Sequence, residues 1–128
     1  GMSGLALVTF VVRDYDEAID FFVRALGWRL VEDRPLGGEK RWVVVRPDRE
    51  GAGLLLARAV GPEQTAAIGA QAGGRVAFFL ETADFAAAQA RMEAAGFAFL
   101  EAPRDEPYGR VAVFADLYGN RWDLIEPR

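Results

Sequence analysis

The chain contains no cysteine and no histidine. Without cysteine there is no disulfide framework, no thiolate ligand and no thiol nucleophile, a composition that suits a reducing compartment. Without histidine it lacks the commonest metal ligand and the one side chain whose unperturbed pKa lies near neutrality. Catalysis would then rest on carboxylates, tyrosine, arginine, hydroxyls or Lys40. Long apolar runs are missing too: Val43 to Val45 and Leu54 to Ala57 fall far short of the roughly 20 residues of a membrane span. No signal-peptide pattern follows Met2, and Gly1 ahead of it has the look of a tag remnant, so a cytoplasmic address is expected. A basic excess is likewise absent, with a net charge of −4 and arginines scattered along the chain. That argues against nucleic acid as a partner, since neutralising phosphates needs a basic face. Neither nucleic acid nor membrane is expected, and a small molecule is.

What is present is enough for one domain over 1–128: 128 residues, 52% of them hydrophobic, can bury a core without disulfides or metal. The chain repeats itself. Leu5 to Val12 reads as a strand, followed by Arg13-Asp14-Tyr15-Asp16-Glu17 and a helix to Leu26. Val76 to Leu80 reads as a second such strand, followed by Glu81-Thr82-Ala83-Asp84-Phe85 and a helix ending near Ala95. Asp14 precedes Asp84 by 70 residues and Gly27 precedes Gly96 by 69.

Asp14 with Glu17 three residues on has the form of a capping box. Ala18, Phe22, Ala25 and Leu26 recur at helical spacing, as do Phe85, Ala88, Met92 and Ala95, each set forming one apolar stripe that faces a sheet. Gly27 and Gly96 fall where a left-handed C-cap residue is expected.

Three strand-like segments follow each helix: Arg29 to Asp33, Arg41 to Val45 and Gly53 to Arg58, then Phe97 to Glu101, Arg110 to Phe114 and Arg121 to Ile125. Leu117-Tyr118-Gly119-Asn120 supplies a hairpin turn in which Gly and Asn tolerate positive φ. Between the copies, Gly61-Pro62-Glu63 opens a short helix ending near Gly69, and Gly73-Gly74 hinges the chain. The expected fold is α+β: two tandem βαβββ units, 5–60 and 75–126, joined by a linker over 61–74, with curved mixed sheets enclosing a cavity. Function would reside in that cavity.

The segments Val11-Val12-Arg13-Asp14-Tyr15-Asp16-Glu17-Ala18-Ile19-Asp20-Phe21-Phe22, Leu26-Gly27-Trp28 and Asp116-Leu117-Tyr118-Gly119-Asn120-Arg121-Trp122-Asp123-Leu124 resemble the vicinal oxygen chelate superfamily. Glyoxalase I, extradiol dioxygenases, epimerases and bleomycin-resistance proteins belong to it. The resemblance covers essentially the whole chain, duplication included, and implies a homodimer. Metal-using members place His, Glu or Gln on the first and last strands of each unit. Those positions fall here on Leu7, Leu55, Ala77 and Asp123, of which only Asp123 can ligate. A divalent cation needs several oxygen or nitrogen donors, so no metal and no other cofactor is expected.

Alternation along strands sorts the remaining candidates. Thr9 and Asp123 are assigned to the cavity, with Trp122 and Leu124 under a helix; Ala77, Phe79 and Glu81 share a face. Asp123 reads either as a cavity carboxylate with a pKa raised by burial or as the partner of an arginine. Glu81, ending its strand, is equally open to a solvated role. Arg41 and Arg110, 69 residues apart, either clamp an anionic or carbonyl-bearing ligand or form inter-strand ion pairs. Phe79 and Phe114 are the aromatic residues chosen to stack on a ligand, the others being core.

Three functions fit these residues. The first is a metal-independent binding protein holding a small, partly apolar molecule in the cavity between its two units, like the sequestering antibiotic-resistance members. The second is a lyase, isomerase or dioxygenase acting through Asp123 and Glu81. The third is an interaction module whose sheet face mediates assembly.

Overall fold

Both main helices begin on an aspartate. In the computed structural model, which describes residues 1–128, the Asp14 carboxylate accepts from the Glu17 backbone N–H and that of Asp84 from the Ala87 N–H. Each bond satisfies one of the donors that a helix leaves open at its start. The Glu17 carboxylate also takes the Arg13 guanidinium at 2.7 Å.

The first unit spans Gly1–Ile68 and the second Gly69–Arg128. The first contains β1 (Leu7–Val12), α1 (Tyr15–Asp20), β2 (Arg29–Gly37), β3 (Lys40–Arg46), β4 (Gly53–Arg58) and α2 (Gly61–Ala67). The second contains β5 (Val76–Glu81), α3 (Phe85–Ala94), β6 (Arg104–Glu106), β7 (Gly109–Ala115) and β8 (Arg121–Pro127). Each is a βαβββ unit with a four-stranded mixed sheet, in the order β1-β4-β3-β2 and β5-β8-β7-β6. The outer pair β1 and β4 is parallel, as is β5 and β8, and the other pairs are antiparallel. No helix is long and apolar enough to cross a membrane.

Helix α1 continues into a π-helical turn over Phe21–Ala25. The wider turn keeps Phe21, Phe22 and Ala25 all buried and ends at Gly27, whose φ of 71° needs a residue without a Cβ. Phe22 lies edge-on to Phe10 at 5.1 Å and against Trp28 at 5.0 Å. With Val12, Ala18, Val43, Val45 and Leu56, these rings form the core of the first unit. Its counterpart in the second unit is Phe85, Met92, Ala112, Phe114, Trp122 and Leu124.

Two expectations are corrected. Phe97 to Glu101 is not a strand: its backbone meets β7 through a bridge at Phe99 and the bond from the Leu100 N–H to the Val113 carbonyl. The Glu101 carboxylate takes the Val113 N–H at 3.0 Å, the place a strand carbonyl would occupy. Pro103 has no N–H to offer a ladder, so pairing starts at Arg104. Nor does Asn120 adopt positive φ, which is confined to glycines. Asn120 is instead buried against Asp116, while Gly119 alone turns the chain, at φ 95°.

Candidate functional site

β4 ends and β3 begins at the same end of the first sheet, because the two strands run antiparallel with Val43 opposite Leu56. There the β2–β3 hairpin and α2 extend past the sheet and leave a cavity of about 620 Å³. Its apolar wall is Leu36, Trp42, Leu55, Leu56, Ala57 and Val60; Tyr15 reaches it from α1 and Gln64 from α2. Charge comes from Glu39, Lys40, Arg41 and Arg58.

Two of the candidate residues named from the sequence, Arg41 and Leu55, line this first-unit cavity. Arg41 also settles between its two open roles. Its guanidinium bonds Asp33 on β2 at 2.8 Å and Asp16 on α1 at 3.0 Å, and lies 4.9 Å from the centre of the Tyr15 ring. The hydrogen bonds it donates to Asp33 and then Asp16 push its pKa above the ordinary arginine value. It is an inter-element ion pair that fixes Tyr15, whose hydroxyl in turn accepts the Arg41 backbone N–H at 3.1 Å. Thr9 sits exposed opposite Leu55, and Leu7 half-buried opposite Gly53.

In the second unit, Phe79 pairs with Asp123 and Asp123 with Val113, so these three share one sheet face. Phe79 is 66% exposed there. Glu81 lies two pairs further along, opposite Ile125, and Ala77 sits at a register irregularity between β5 and β8. Phe114 and Arg110 do not join this face, which corrects both expectations. The register places Phe114 opposite Trp122, fully buried and stacked on it at 5.6 Å. Arg110, of the same parity on β7, lies over the Phe85 ring of α3 at 5.5 Å. A one-residue difference in parity transfers a side chain to the other face of a sheet, and Val111 and Val113 are the β7 residues on the Asp123 side.

Burial raises the Asp123 pKa, the Arg104 guanidinium opposes that shift, and the Glu101 carboxylate adds to it. A carboxyl raised in the folded state holds its proton more tightly there than in the unfolded chain. It therefore favours folding at low pH, and this contribution is lost as pH rises from the ordinary aspartate value through the native one. An NMR titration of the Asp123 carboxyl should have its midpoint above that of an unstructured aspartate, and Asp123→Asn should flatten this part of the pH–stability curve. A midpoint at or below the ordinary value would contradict the burial argument.

The metal positions of the resembled superfamily were tested on their donors. Leu7, Leu55 and Ala77 offer none, and no group of three or more acidic side chains is gathered anywhere in the chain. This donor set does not fit a divalent cation.

The buried acid that sequence reasoning missed is Asp116. Its carboxylate accepts from the backbone N–H groups of Tyr118 at 2.9 Å and Asn120 at 3.1 Å, from the Asn120 side chain at 3.0 Å and from Trp122 Nε1 at 2.8 Å. It ties the β7–β8 turn to the strand that carries Asp123. An aspartate opening a Gly-Asn turn was the available signal. Tyr15, Lys40, Trp42, Ala57 and Val60 were also missed as cavity residues, because the hairpin and α2 that complete the cavity are distant in sequence.

The repeated βαβββ architecture is that of glyoxalase-type proteins. Residues 4–124 match the Glyoxalase/Bleomycin resistance protein/Dioxygenase superfamily, and the chain belongs to it. An uncharacterised protein of Shewanella frigidimarina (strain NCIMB 400) is 53% identical over 121 residues, 93% of this chain and 90% of that one. Among solved structures, UcmS2 superposes with a TM-score of 0.82 at 29% identity, covering 98% of this chain and 99% of its own. TnmS3, an antibiotic binding protein from Streptomyces sp. CB03234, superposes with a TM-score of 0.78 at 31% identity, covering 99% and 98%.

Proposed function

We propose that this chain is a metal-independent binding protein that holds a small, partly apolar molecule in the cavity of its first unit. The observation that carries this reading is the cavity itself: about 620 Å³, walled by Trp42, Leu55, Ala57 and Val60. That lies within the roughly 300–1,000 Å³ of small-molecule sites, which are mainly apolar with a few polar groups to orient the ligand. The likeness to an antibiotic binding protein over nearly the full length supports the same class of activity. The missing donors at Leu7, Leu55 and Ala77 support metal independence. The superfamily likeness further supports a homodimer, and the lack of cysteine suits a reducing compartment such as the cytoplasm.

The test is a thermal-shift screen against aromatic antibiotics, glutathione adducts and phenolic acids, with elemental analysis of the same preparation. A ligand that binds only the native state at about 100 times its Kd stabilises it by about 2.7 kcal/mol, and a matching rise in Tm is expected from at least one class. Stoichiometric Zn, Ni, Fe or Mn would overturn metal independence, and the absence of any shift would overturn small-molecule binding.

One observation favours a second reading, a lyase, isomerase or dioxygenase working through Asp123 and Glu81. Burial of Asp123 raises its pKa, as general acid/base chemistry requires. Turnover abolished by Asp123→Asn would establish this reading in place of simple sequestration.

A further inference from the structure

The charges around the cavity run against those of the chain. The protein carries a net charge of −4, yet the cavity is lined by three cations, Lys40, Arg41 and Arg58, and one acid, Glu39. Two of the cations are committed within the protein: Arg41 to Asp33 and Asp16, and Arg58 to Glu39 at 3.2 Å. Lys40, the single lysine of the chain, is left with its ammonium unpaired.

Tyr15 supplies a second, independent indication. Only 5% of it is exposed, and its hydroxyl oxygen accepts the Arg41 N–H, which leaves the hydroxyl proton still to be donated. A buried hydroxyl ordinarily finds a partner for its donor as well as its acceptor side. Here that donor borders a cavity edged by an unpaired ammonium and walled by Trp42 and aliphatic side chains.

We propose that the ligand is a planar aromatic anion, a carboxylate or phenolate, whose charged oxygen meets Lys40 and the Tyr15 hydroxyl while its ring lies against Trp42. This rests on the small-molecule reading above and adds the sign of the ligand's charge. Bonds to an ionised oxygen are the stronger kind, and the apolar wall suits an aromatic body. A cationic ligand would instead meet the unpaired Lys40 ammonium.

Two probes of nearly equal shape test it: 2-naphthoate and its neutral carboxamide, titrated calorimetrically into the wild-type protein, Lys40→Met and Lys40→Arg. The expected result is tighter binding of the carboxylate than of the amide. Lys40→Met should weaken carboxylate binding about tenfold, corresponding to about 1.4 kcal/mol, and leave the amide unchanged; Lys40→Arg should retain most of the affinity. Because Lys40 is exposed, both variants should fold, which their melting curves will verify. Equal affinity for the two probes, or tighter binding of the amide, overturns the anionic assignment while small-molecule binding stands. Equal loss of both probes in Lys40→Met overturns the charge argument. Binding of neither probe to the wild-type protein overturns the assignment too, and the antibiotic and glutathione arms of the thermal screen then show whether the cavity binds anything.

Discussion

Replacing Asp116 with alanine is expected to cost the fold roughly 3–5 kcal/mol, the range found when one partner of a buried charged network is removed. Four donors converge on this carboxylate: two backbone N–H groups, the Asn120 amide and the Trp122 indole. Both Asn120 and Trp122 are almost fully buried, so water has little access to replace what alanine deletes. Burial raises the Asp116 pKa, and the hydrogen bonds from Trp122, Tyr118 and Asn120 pull it back. Desolvation is thus the principal penalty of keeping the acid, and the converging donors are what make it tolerable. Urea denaturation should show a lower midpoint with little change in slope. Asp116→Asn, which keeps the size but has one acceptor oxygen, should lose less. An unfolding free energy for Asp116→Ala within about 1 kcal/mol of the wild type would show that the turn holds without its acid.

Phe22→Ala should be comparably damaging by a different route. Phe22 is fully buried, with ring centroids 5.1, 5.3 and 5.0 Å from Phe10, Phe21 and Trp28. Truncating a buried phenylalanine removes its transfer free energy and leaves a cavity, together about 3–5 kcal/mol. The π-helical turn adds to the sensitivity, because Phe21 and Phe22 are adjacent in sequence yet both buried there, so neither can rotate into the space without exposing the other. Thermal melts should show a Tm roughly 10 °C or more lower. A drop of only a few degrees would mean that Trp28 and Phe10 close over the gap.

Much of the fold was legible in local patterns. The aspartate caps, the apolar stripes at helical spacing and the terminal glycines are determined within a few residues of chain, and their recurrence about 70 residues later revealed the two units. The first three strands after α1 lie where alternation put them, apart from their ends. The segment Phe97 to Glu101 had strand-like composition, but its hydrogen bonds were decided by the Glu101 side chain and by Pro103, which no periodicity reports. The site was less legible for the same kind of reason. Phe79 and Asp123 share a face because β5 and β8 pair directly, whereas the faces of Phe114 and Arg110 depend on the register of β7 against β8, which no local pattern reports.

The absences that first constrained this protein retain their force. Having no cysteine or histidine, together with leucine and alanine at the metal positions of its superfamily, is a property of the sequence alone, since no fold can supply a donor atom that the chain does not contain. Which charges are available is a different matter. Arg41, Arg58 and Lys40 are equivalent cations in the sequence, and only the tertiary structure brings Asp33, Asp16 and Glu39 to the first two and leaves the third unpaired in the lining of the cavity that Tyr15 also borders. Charge pairing depends on distances of a few ångströms between residues as many as 25 positions apart, and such distances exist only once the chain has folded.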